Sequence, residues 1–127
     1  MNIIVLKNKY SIYKFKGDYV LPDWIYLSDF YSITKTKDEL SVVGIQSDLI
    51  SEKIACSKDW RILKIVGPLD FSLIGIIANI STILKDKKIS IFSISTYDTD
   101  YILVKQDKLD IGIKALRDKE YKISIEK

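Results

Sequence analysis

Four segments in the C-terminal half of the chain alternate apolar and polar residues, and this period of two is typical of β-strands. The predicted strands are Trp60–Val66, Ile89–Ser95, Tyr101–Lys105 and Tyr121–Ile125. Two further segments, Phe71–Leu84 and Asp107–Arg117, space their apolar residues three and four apart, as amphipathic helices do. The order βαββαβ predicts an α+β fold, in which an antiparallel sheet carries both helices on one face.

The two predicted helices have recognisable ends and inward faces. Asp70 is expected to cap the first helix and Asp107 the second, because an Asp side chain accepts hydrogen bonds from the free N–H groups there. Gly75 falls within the first helix, where it would permit close packing on the sheet. The second helix should turn Leu109, Ile113 and Leu116 inward. We expect the first helix to pack on the strands through Leu73, Ile77, Ile80 and Leu84, against Leu63, Ile65, Phe92 and Leu103 or their strand neighbours.

The N-terminal half shows a weaker form of the same order. Tyr10–Phe15 is a predicted strand, and Leu21–Leu27 allows one short helical turn that begins at Pro22. Phe30–Thr36 and Glu39–Ile45 are predicted to form a hairpin around Lys37 and Asp38, followed by a marginal helix at Ser47–Cys56. This βαββα order is a degenerate copy of the C-terminal unit.

An internal repeat appears when the chain is shifted so that Ser32 lies over Ser93. The shift lays SITKTKDELSVV, residues 32–43, over SISTYDTDYILV, residues 93–104, and Glu39 then meets Asp100. Each copy is a strand, a polar turn, an acid and an apolar strand, which indicates an internal duplication. The predicted units are residues 1–58 and residues 59–127.

Length, composition and charge limit the classes of protein to which this chain could belong. The 127 residues suffice for one compact domain or two very small units, and an apolar content of 47% is globular. The net charge of +3 comes from interspersed Lys and acids without a basic run, so no nucleic-acid partner is expected. The single cysteine indicates a reducing, cytoplasmic setting, and the apolar runs are too short or interrupted for a signal peptide or membrane span. The abundance of Ile and Lys is typical of a bacterial chain from an AT-rich genome.

The chain lacks the residues that several kinds of catalytic and cofactor chemistry require. The chain has no histidine, so it lacks the commonest general base, the usual zinc ligand and any Ser-His or Cys-His pair. It also has no GxGxxG or GxxxxGK[ST] loop. We therefore expect no enzyme activity, no cofactor and no metal site.

Two segments have side chains suited to a charged ligand. Asp98 and Asp100 lie two apart and share one face of an extended strand, where a carboxylate could hold an ammonium or guanidinium group. The alternatives are a solvated turn whose Asp side chains bond their own backbone, and a catalytic carboxylate pair. Gly67–Ser72 precedes a predicted helix, whose free N–H groups could hold an α-carboxylate, or it shapes a turn only.

The segments GPLDFSLIGIIANIS, ISIFSISTYDTDYILVK, LPDW, FYSITKTKDELSVV and DWRILKIVGPLDF resemble the small bacterial ACT-domain proteins related to the CASTOR amino-acid sensors. The resemblance implies two ACT (ferredoxin-like) units in tandem, no catalysis, and an amino acid held at the junction between units. The resemblance implies that Ser41 and Val42 offer backbone groups to the ligand, and less directly that Glu39 does. Because the eukaryotic sensors have four units per chain, a four-unit assembly here would need a dimer. A homodimer is expected, since ACT-like units leave a sheet face or edge uncovered and usually pair through it.

The residues and the resemblance together predict a sensor that binds an amino acid or a similar small zwitterion. Its regulated protein is unidentified. The predicted binding residues lie in three segments, namely Ser41 and Val42; Leu69, Asp70, Phe71 and Ser72; and Ser95, Thr96, Asp98 and Asp100. The alternative is a module that only dimerises or docks on a partner, without a ligand.

Overall fold

The computed structural model describes residues 2–51, 53–66 and 75–127. The chain divides into an N-terminal unit, Asn8–Trp60, and a C-terminal unit that joins Met1–Lys7 to Arg61–Lys127. In chain order the described elements are β1 (Asn2–Val5), β2 (Tyr10–Phe15), α1 (Asp23–Tyr26), β3 (Ser32–Lys35), β4 (Leu40–Ile45), β5 (Ala55–Val66), α2 (Ile76–Asp86), β6 (Phe92–Ser95), β7 (Asp100–Lys105), α3 (Leu109–Asp118) and β8 (Lys122–Ile125). The fold is α+β, as the sequence predicts.

The N-terminal unit is a sheet with the strand order β3-β4-β2-β5, in which each neighbouring pair is antiparallel. One cluster of its buried residues consists of Tyr13, Phe15, Leu21, Ile25, Leu40 and Val42, and Tyr10, Val43 and Trp60 are buried as well. Tyr13 stacks on Phe15 with ring centroids 5.8 Å apart, and Trp24 of α1 meets the Tyr13 ring edge-on at 6.0 Å. Helix α1 has only four residues, and it packs the fully buried Ile25 and the partly buried Trp24 against this cluster.

The helix predicted at Ser47–Cys56 does not form in the described part of that segment. Ala55 and Cys56 instead begin β5, where they pair with Lys14 and Tyr13 of β2. The hydroxyl of Ser47 accepts a hydrogen bond from the N–H of Leu49, at 3.1 Å. Such local bonds compete with a helix, and the sheet offers Ala55 and Cys56 backbone partners on β2.

The C-terminal unit contains a strand that the sequence analysis did not predict. Its strand order is β6-β7-β5-β1-β8, so β1 lies between β5 and β8. Asn2 pairs antiparallel with Val66 and parallel with Lys122. Ile3 and Val5 of this strand are buried in the unit's core. The predicted division placed residues 1–7 with the N-terminal unit, whereas the structure groups them with residues 61–127.

Helices α2 and α3 form the core of the C-terminal unit with β1, β5 and β7. Leu109, Ile113 and Leu116 are buried as predicted, and Ile80 and Leu84 share a cluster with Leu63 and Ile65. On β7 the residues in this cluster are Ile102 and Val104, the strand neighbours of Leu103, as the prediction allowed. Successive strand residues face opposite sides of a sheet, so Leu103 lies on the other face. Leu73 lies outside the described residues.

The first turns of both helices differ from the predicted ones. Helix α2 begins at Ile76 with Gly75 as its N-cap, and Asp70 lies outside the described residues. Gly75 has a φ of 91°, a left-handed conformation that glycine adopts without steric cost, so it starts the helix rather than packing within it. Asp107 lies in a 3-10 turn, Gln106–Lys108, and Lys108 is the N-cap of α3.

The β3–β4 and β6–β7 hairpins correspond to each other, but the structural alignment of the two hairpins differs by one residue from the predicted alignment. Ser32 pairs with Val43 in the first hairpin and Phe92 pairs with Leu103 in the second, so Ser32 corresponds to Phe92 and not to Ser93. The preceding helices fit the same correspondence, since they end at Tyr26 and at Asp86. We call this the hairpin alignment. It lays Thr36 and Asp38 over Thr96 and Asp98, and the predicted match of Glu39 with Asp100 is lost.

Candidate functional site

The β6–β7 hairpin holds four of the predicted binding residues. Ser95 pairs with Asp100 across the hairpin, while Thr96 and Asp98 lie in the turn between the strands. Ser95, Thr96 and Asp98 are exposed, and Asp100 is partly buried. Asp98 and Asp100 therefore lie at the same end of the β6–β7 hairpin.

Threonine side chains shape the turn of this hairpin. The Thr96 N–H donates to the carbonyl oxygen of Thr99 at 2.8 Å, and the Thr96 hydroxyl accepts from the Thr99 N–H at 3.2 Å. The Thr99 hydroxyl is buried and donates to the carbonyl oxygen of Ile65 in β5. This bond ties the turn to the neighbouring strand at Thr99, the residue between Asp98 and Asp100.

Thr99 was not among the predicted binding residues, although Ser95, Thr96, Asp98 and Asp100 around it were. Its buried hydroxyl nevertheless makes the contact that joins this segment to β5. A usable signal was the Thr-x-Asp spacing that residues 96–98 share with residues 36–38, which the hairpin alignment lays over each other.

The equivalent turn in the N-terminal unit is built in the same way. The Thr36 N–H donates to the carbonyl oxygen of Glu39 at 2.9 Å, and the Thr36 hydroxyl accepts from the Glu39 N–H at 3.1 Å. Matching Thr turns at equivalent positions support the repeat more strongly than the residue alternation does, because any two hairpins alternate.

Ser41 and Val42 lie on β4, which pairs with β2 on one side and β3 on the other. The Val42 side chain is fully buried in the core of the N-terminal unit, and Ser41 is partly buried. Pairing on both sides engages the β4 backbone in the sheet. The Ser41 hydroxyl is therefore the polar side-chain group that this pair offers to a ligand.

Leu69, Asp70, Phe71 and Ser72 lie outside the described residues. Their expected role, carboxylate binding at a helix N-terminus, stays a prediction. The same holds for the expectation that these residues, Ser41–Val42 and the β6–β7 turn converge on one ligand at the junction of the two repeats.

The described parts of the molecule have surface clefts in each unit. One, of about 390 Å³, is lined by the 47–51 loop, Cys56 and Lys58 in the N-terminal unit. Another, of about 310 Å³, lies by β1 and β8 in the C-terminal unit and is lined by Ile4, Lys122 and Ser124 among others. Of the predicted binding residues that the structure describes, none lines either of these clefts.

Within residues 2–51, 53–66 and 75–127, no three Cys, Asp or Glu side chains are grouped so that they could hold a metal ion. No helix among these residues has the length and apolar character needed to cross a membrane.

Comparison with known proteins identifies both units. A family described as the ACT domain matches residues 55–118, and a second family, described as an N-terminal domain, matches residues 8–53. No curated protein sequence matches the chain.

Solved structures reproduce the whole fold. The X-ray structure of protein Atu0741 from Agrobacterium tumefaciens has a TM-score of 0.89 and 29% identity, covering 99% of this chain and 93% of that one. A protein of unknown function from Vibrio cholerae, VC0802, described as a possible transport protein, has a TM-score of 0.73 and 19% identity, with 92% and 88% covered. The regulatory subunit of aspartate kinase from Thermus thermophilus, in a ligand-free form, has a TM-score of 0.64 and 10% identity, with 91% and 95% covered.

The ACT match runs from residue 55 to residue 118 and so covers just over half of the chain. It includes β5, α2, β6, β7 and α3, the elements that carry the Thr99 turn and its two aspartates. This protein therefore belongs to the ACT domain family.

Proposed function

We propose that this protein is a regulatory module that binds a small amino acid and has no catalytic activity of its own. The observation that carries the proposal is the ACT match over the β5–α3 segment. The fold shared with the aspartate kinase regulatory subunit supports a regulatory role, because that protein is a dedicated regulatory chain of similar length.

The chemistry of the β6–β7 turn supports a zwitterionic ligand. Asp98 and Asp100 lie on either side of Thr99, whose buried hydroxyl anchors the turn to β5. Carboxylates held in this way can bind an ammonium group with a smaller loss of conformational entropy than a free loop would suffer. In the proposal, Leu69–Ser72 hold the ligand's α-carboxylate and the Ser41 hydroxyl supplies a further polar contact.

We also propose an origin, a location, an assembly and an output for this protein. The chain is a bacterial, cytoplasmic relative of the CASTOR-like sensors, it acts as a homodimer, and ligand binding changes its interaction with a regulated protein.

A thermal unfolding screen of the full chain against the twenty amino acids tests the proposed binding. A ligand at about 100 times its Kd adds about 2.7 kcal/mol to the free energy of unfolding, which is a clear shift for a small protein. If no amino acid raises the unfolding temperature at millimolar concentration, the binding proposal is wrong, and a module that only docks or dimerises replaces it.

The carboxylates are tested with Asp98→Asn and Asp100→Asn, and Asp110→Asn on the surface of α3 serves as the matched control. Loss of a charged hydrogen bond should weaken binding by about 1.5–3 kcal/mol in at least one of the two variants. The control should bind as the parent does. Equal binding by all three variants would remove the aspartates from the site.

A further inference from the structure

The outer face of the sheet in the C-terminal unit carries a cleft of about 310 Å³. Helices α2 and α3 pack against the opposite face, where Ile3 and Val5 of β1 are buried. Successive strand residues face opposite sides of a sheet, so Asn2 and Ile4 face away from the helices. We call this cleft the β1–β8 cleft, and its lining residues are Asn2, Ile4, Val66, Lys122, Ile123 and Ser124.

The strand register decides which side chains share this face with β1. Residues that are paired across neighbouring strands point to the same side of a sheet. The partners of Asn2 and Ile4 on β5 and β8 therefore also lie on the outer face, and they are Val66, Lys64, Lys122 and Ser124. The face thus has a lysine on each side of β1, and the apolar Ile4 lies on the strand between them.

The polar side chains of this face are not engaged with the rest of the described protein. In the part of the chain that the structure describes, the side chains of Asn2, Lys64, Lys122 and Ser124 make no hydrogen bond or ion pair. An ammonium group, a side-chain amide and a hydroxyl are all hydrogen-bond donors. The face therefore presents four side chains that can donate to a ligand.

The charge of this face has one sign. Its residues on β1, β5 and β8 include two ammonium groups and no carboxylate. Of the acids that flank β8, Glu120 lies in the turn after α3, and Glu126 follows the strand. The Oε1 of Glu126 accepts a hydrogen bond from the N–H of Lys7 at 3.2 Å. Two ammonium groups without a carboxylate between them create a positive potential, which attracts an anion.

The lining of the cleft suits a ligand with one anionic end and one apolar part. Lys122, Asn2 and Ser124 can donate to a carboxylate, and a hydrogen bond between charged groups is among the stronger contacts in proteins. Ile4 and Val66 offer apolar surface to a short hydrocarbon chain. A volume of about 310 Å³ is at the lower end of the range of about 300–1,000 Å³ for ligand pockets, so the ligand is small.

We propose that the β1–β8 cleft binds a small aliphatic carboxylate that has no ammonium group, with Lys122 and Lys64 holding its charge. An α-amino acid is disfavoured here, because its ammonium group would meet two lysines and no carboxylate of the face. The cleft shares no residue with the site proposed at the β6–β7 turn, where Asp98 and Asp100 would hold an ammonium group. The inference therefore does not depend on amino-acid binding.

An NMR titration of the full chain with isovalerate tests the inference, because this anion joins one carboxylate to a short branched chain. The amide signals of Asn2, Ile4 and Ser124 should shift to saturation with a Kd of about 1–10 mM. Isoamylamine has the same branched end and a positive charge, so it should leave these signals unchanged. Leucine adds an ammonium group to the anion and should bind the cleft about tenfold more weakly or worse, because like charges then meet.

Variants that remove single charges test the contacts. Lys122→Gln keeps most of the length of the side chain and should raise the Kd for isovalerate about tenfold, and Lys64→Gln should raise it as well. Lys85→Gln is the matched control, since Lys85 is an exposed lysine on α2 of the same unit, and it should bind as the parent does. Asp98→Asn and Asp100→Asn should also leave this Kd unchanged. The dispersion of the amide signals shows whether each variant is folded.

The outcomes separate this inference from the proposed amino-acid binding. The cleft is not a carboxylate site if the three amide signals do not shift at about 50 mM isovalerate, or if isoamylamine shifts them equally. An unchanged Kd in both lysine variants would also overturn the inference. If the same signals shift with protein concentration alone, a second copy of the chain covers the face instead. None of these results bears on the β6–β7 turn, which the thermal unfolding screen and the aspartate variants measure separately.

Discussion

At the scale of the residue, two buried hydroxyl groups connect parts of this structure that are distant in sequence. Thr99 and Tyr13 are both buried, and each donates its hydroxyl to a backbone carbonyl, that of Ile65 and of Ile45 respectively. A carbonyl deprived of such a donor inside a protein loses its hydrogen bond without recovering one from water. The sequence analysis assigned no role to either residue.

Thr99→Val keeps the shape of the side chain and removes the hydroxyl. We expect it to lower the free energy of unfolding by about 1–3 kcal/mol, because the Ile65 carbonyl is left without that donor. Urea unfolding measures the change, with the exposed Thr34→Val as the control. If the two variants have the same stability, the Thr99 contact does not anchor the turn. The β6–β7 turn should also exchange its amide hydrogens faster in Thr99→Val.

Tyr13 links stability to pH. Burial raises the pKa of its hydroxyl above the ordinary value near 10, and the neighbouring Cys56 thiol acts in the same direction. The neutral form is therefore favoured in the folded state. The stability that neutral Tyr13 contributes is fully present below the ordinary tyrosine pKa, and it is lost as the pH rises through the pKa of Tyr13 in the folded state.

Tyr13→Phe should be less stable than the parent by about 1 kcal/mol at neutral pH, because the bond to Ile45 is lost. As the pH rises from about 8 to about 10.5, the parent should lose more stability than Tyr13→Phe, so the gap between them narrows. Denaturant unfolding at each pH checks this, with the exposed Tyr97→Phe as the control. A gap that widens with pH would contradict the raised pKa.

At the scale of the element, the sequence predicted most strands and helices because their apolar periodicity is strong. β2 matches its predicted bounds, and the 3.6-residue pattern on α2 and α3 correctly identified Ile80, Leu84, Leu109, Ile113 and Leu116 as core. The wrongly predicted element boundaries lie where the apolar periodicity does not determine the structure. The segment after Ser47 follows local Ser hydrogen bonds, and α2 starts at a left-handed Gly75, which no apolar pattern marks.

Ile80 is the residue on which the packing of α2 can be tested. It is fully buried in the cluster with Leu63 and Ile65, so Ile80→Ala should cost about 2–5 kcal/mol in unfolding free energy. Ile111→Ala on the partly exposed side of α3 is the control and should cost much less. A cost below about 1 kcal/mol for Ile80→Ala would show that the core can collapse around the missing atoms.

At the scale of the whole molecule, the sequence could indicate a duplication but not how the chain is divided. Residues 2–5 are a short apolar run with no local signal that ties them to residues 63–66 or 122–125, since pairing between distant strands is decided by the complete sheet. For the same reason, the predicted binding residues could be chosen from motifs, whereas whether they converge on one ligand depends on tertiary arrangement.

The place of β1 leads to a testable difference between adjacent residues. Ile3 is buried in the C-terminal unit, whereas Ile4 faces the other side of the sheet and is only partly buried. We expect Ile3→Ala to cost about 2–5 kcal/mol and Ile4→Ala less. Hydrogen exchange should show that Ile3→Ala lowers the protection of β8, which pairs with β1. Loss of protection confined to the N-terminal unit would contradict the observed division of the chain.

The same strand sets the order of events in folding. Asn2 pairs with Lys122, so β8 cannot take its place until almost all of these residues have left the ribosome. The closure of such a long loop costs entropy before any contact offsets it, and contacts of this span are associated with slow folding. During synthesis β1 can pair with β5 once residue 66 has been made, whereas its pairing with β8 has to wait for residues 122–125. The last step in the assembly of this sheet is then expected to be the addition of β8 along the free side of β1.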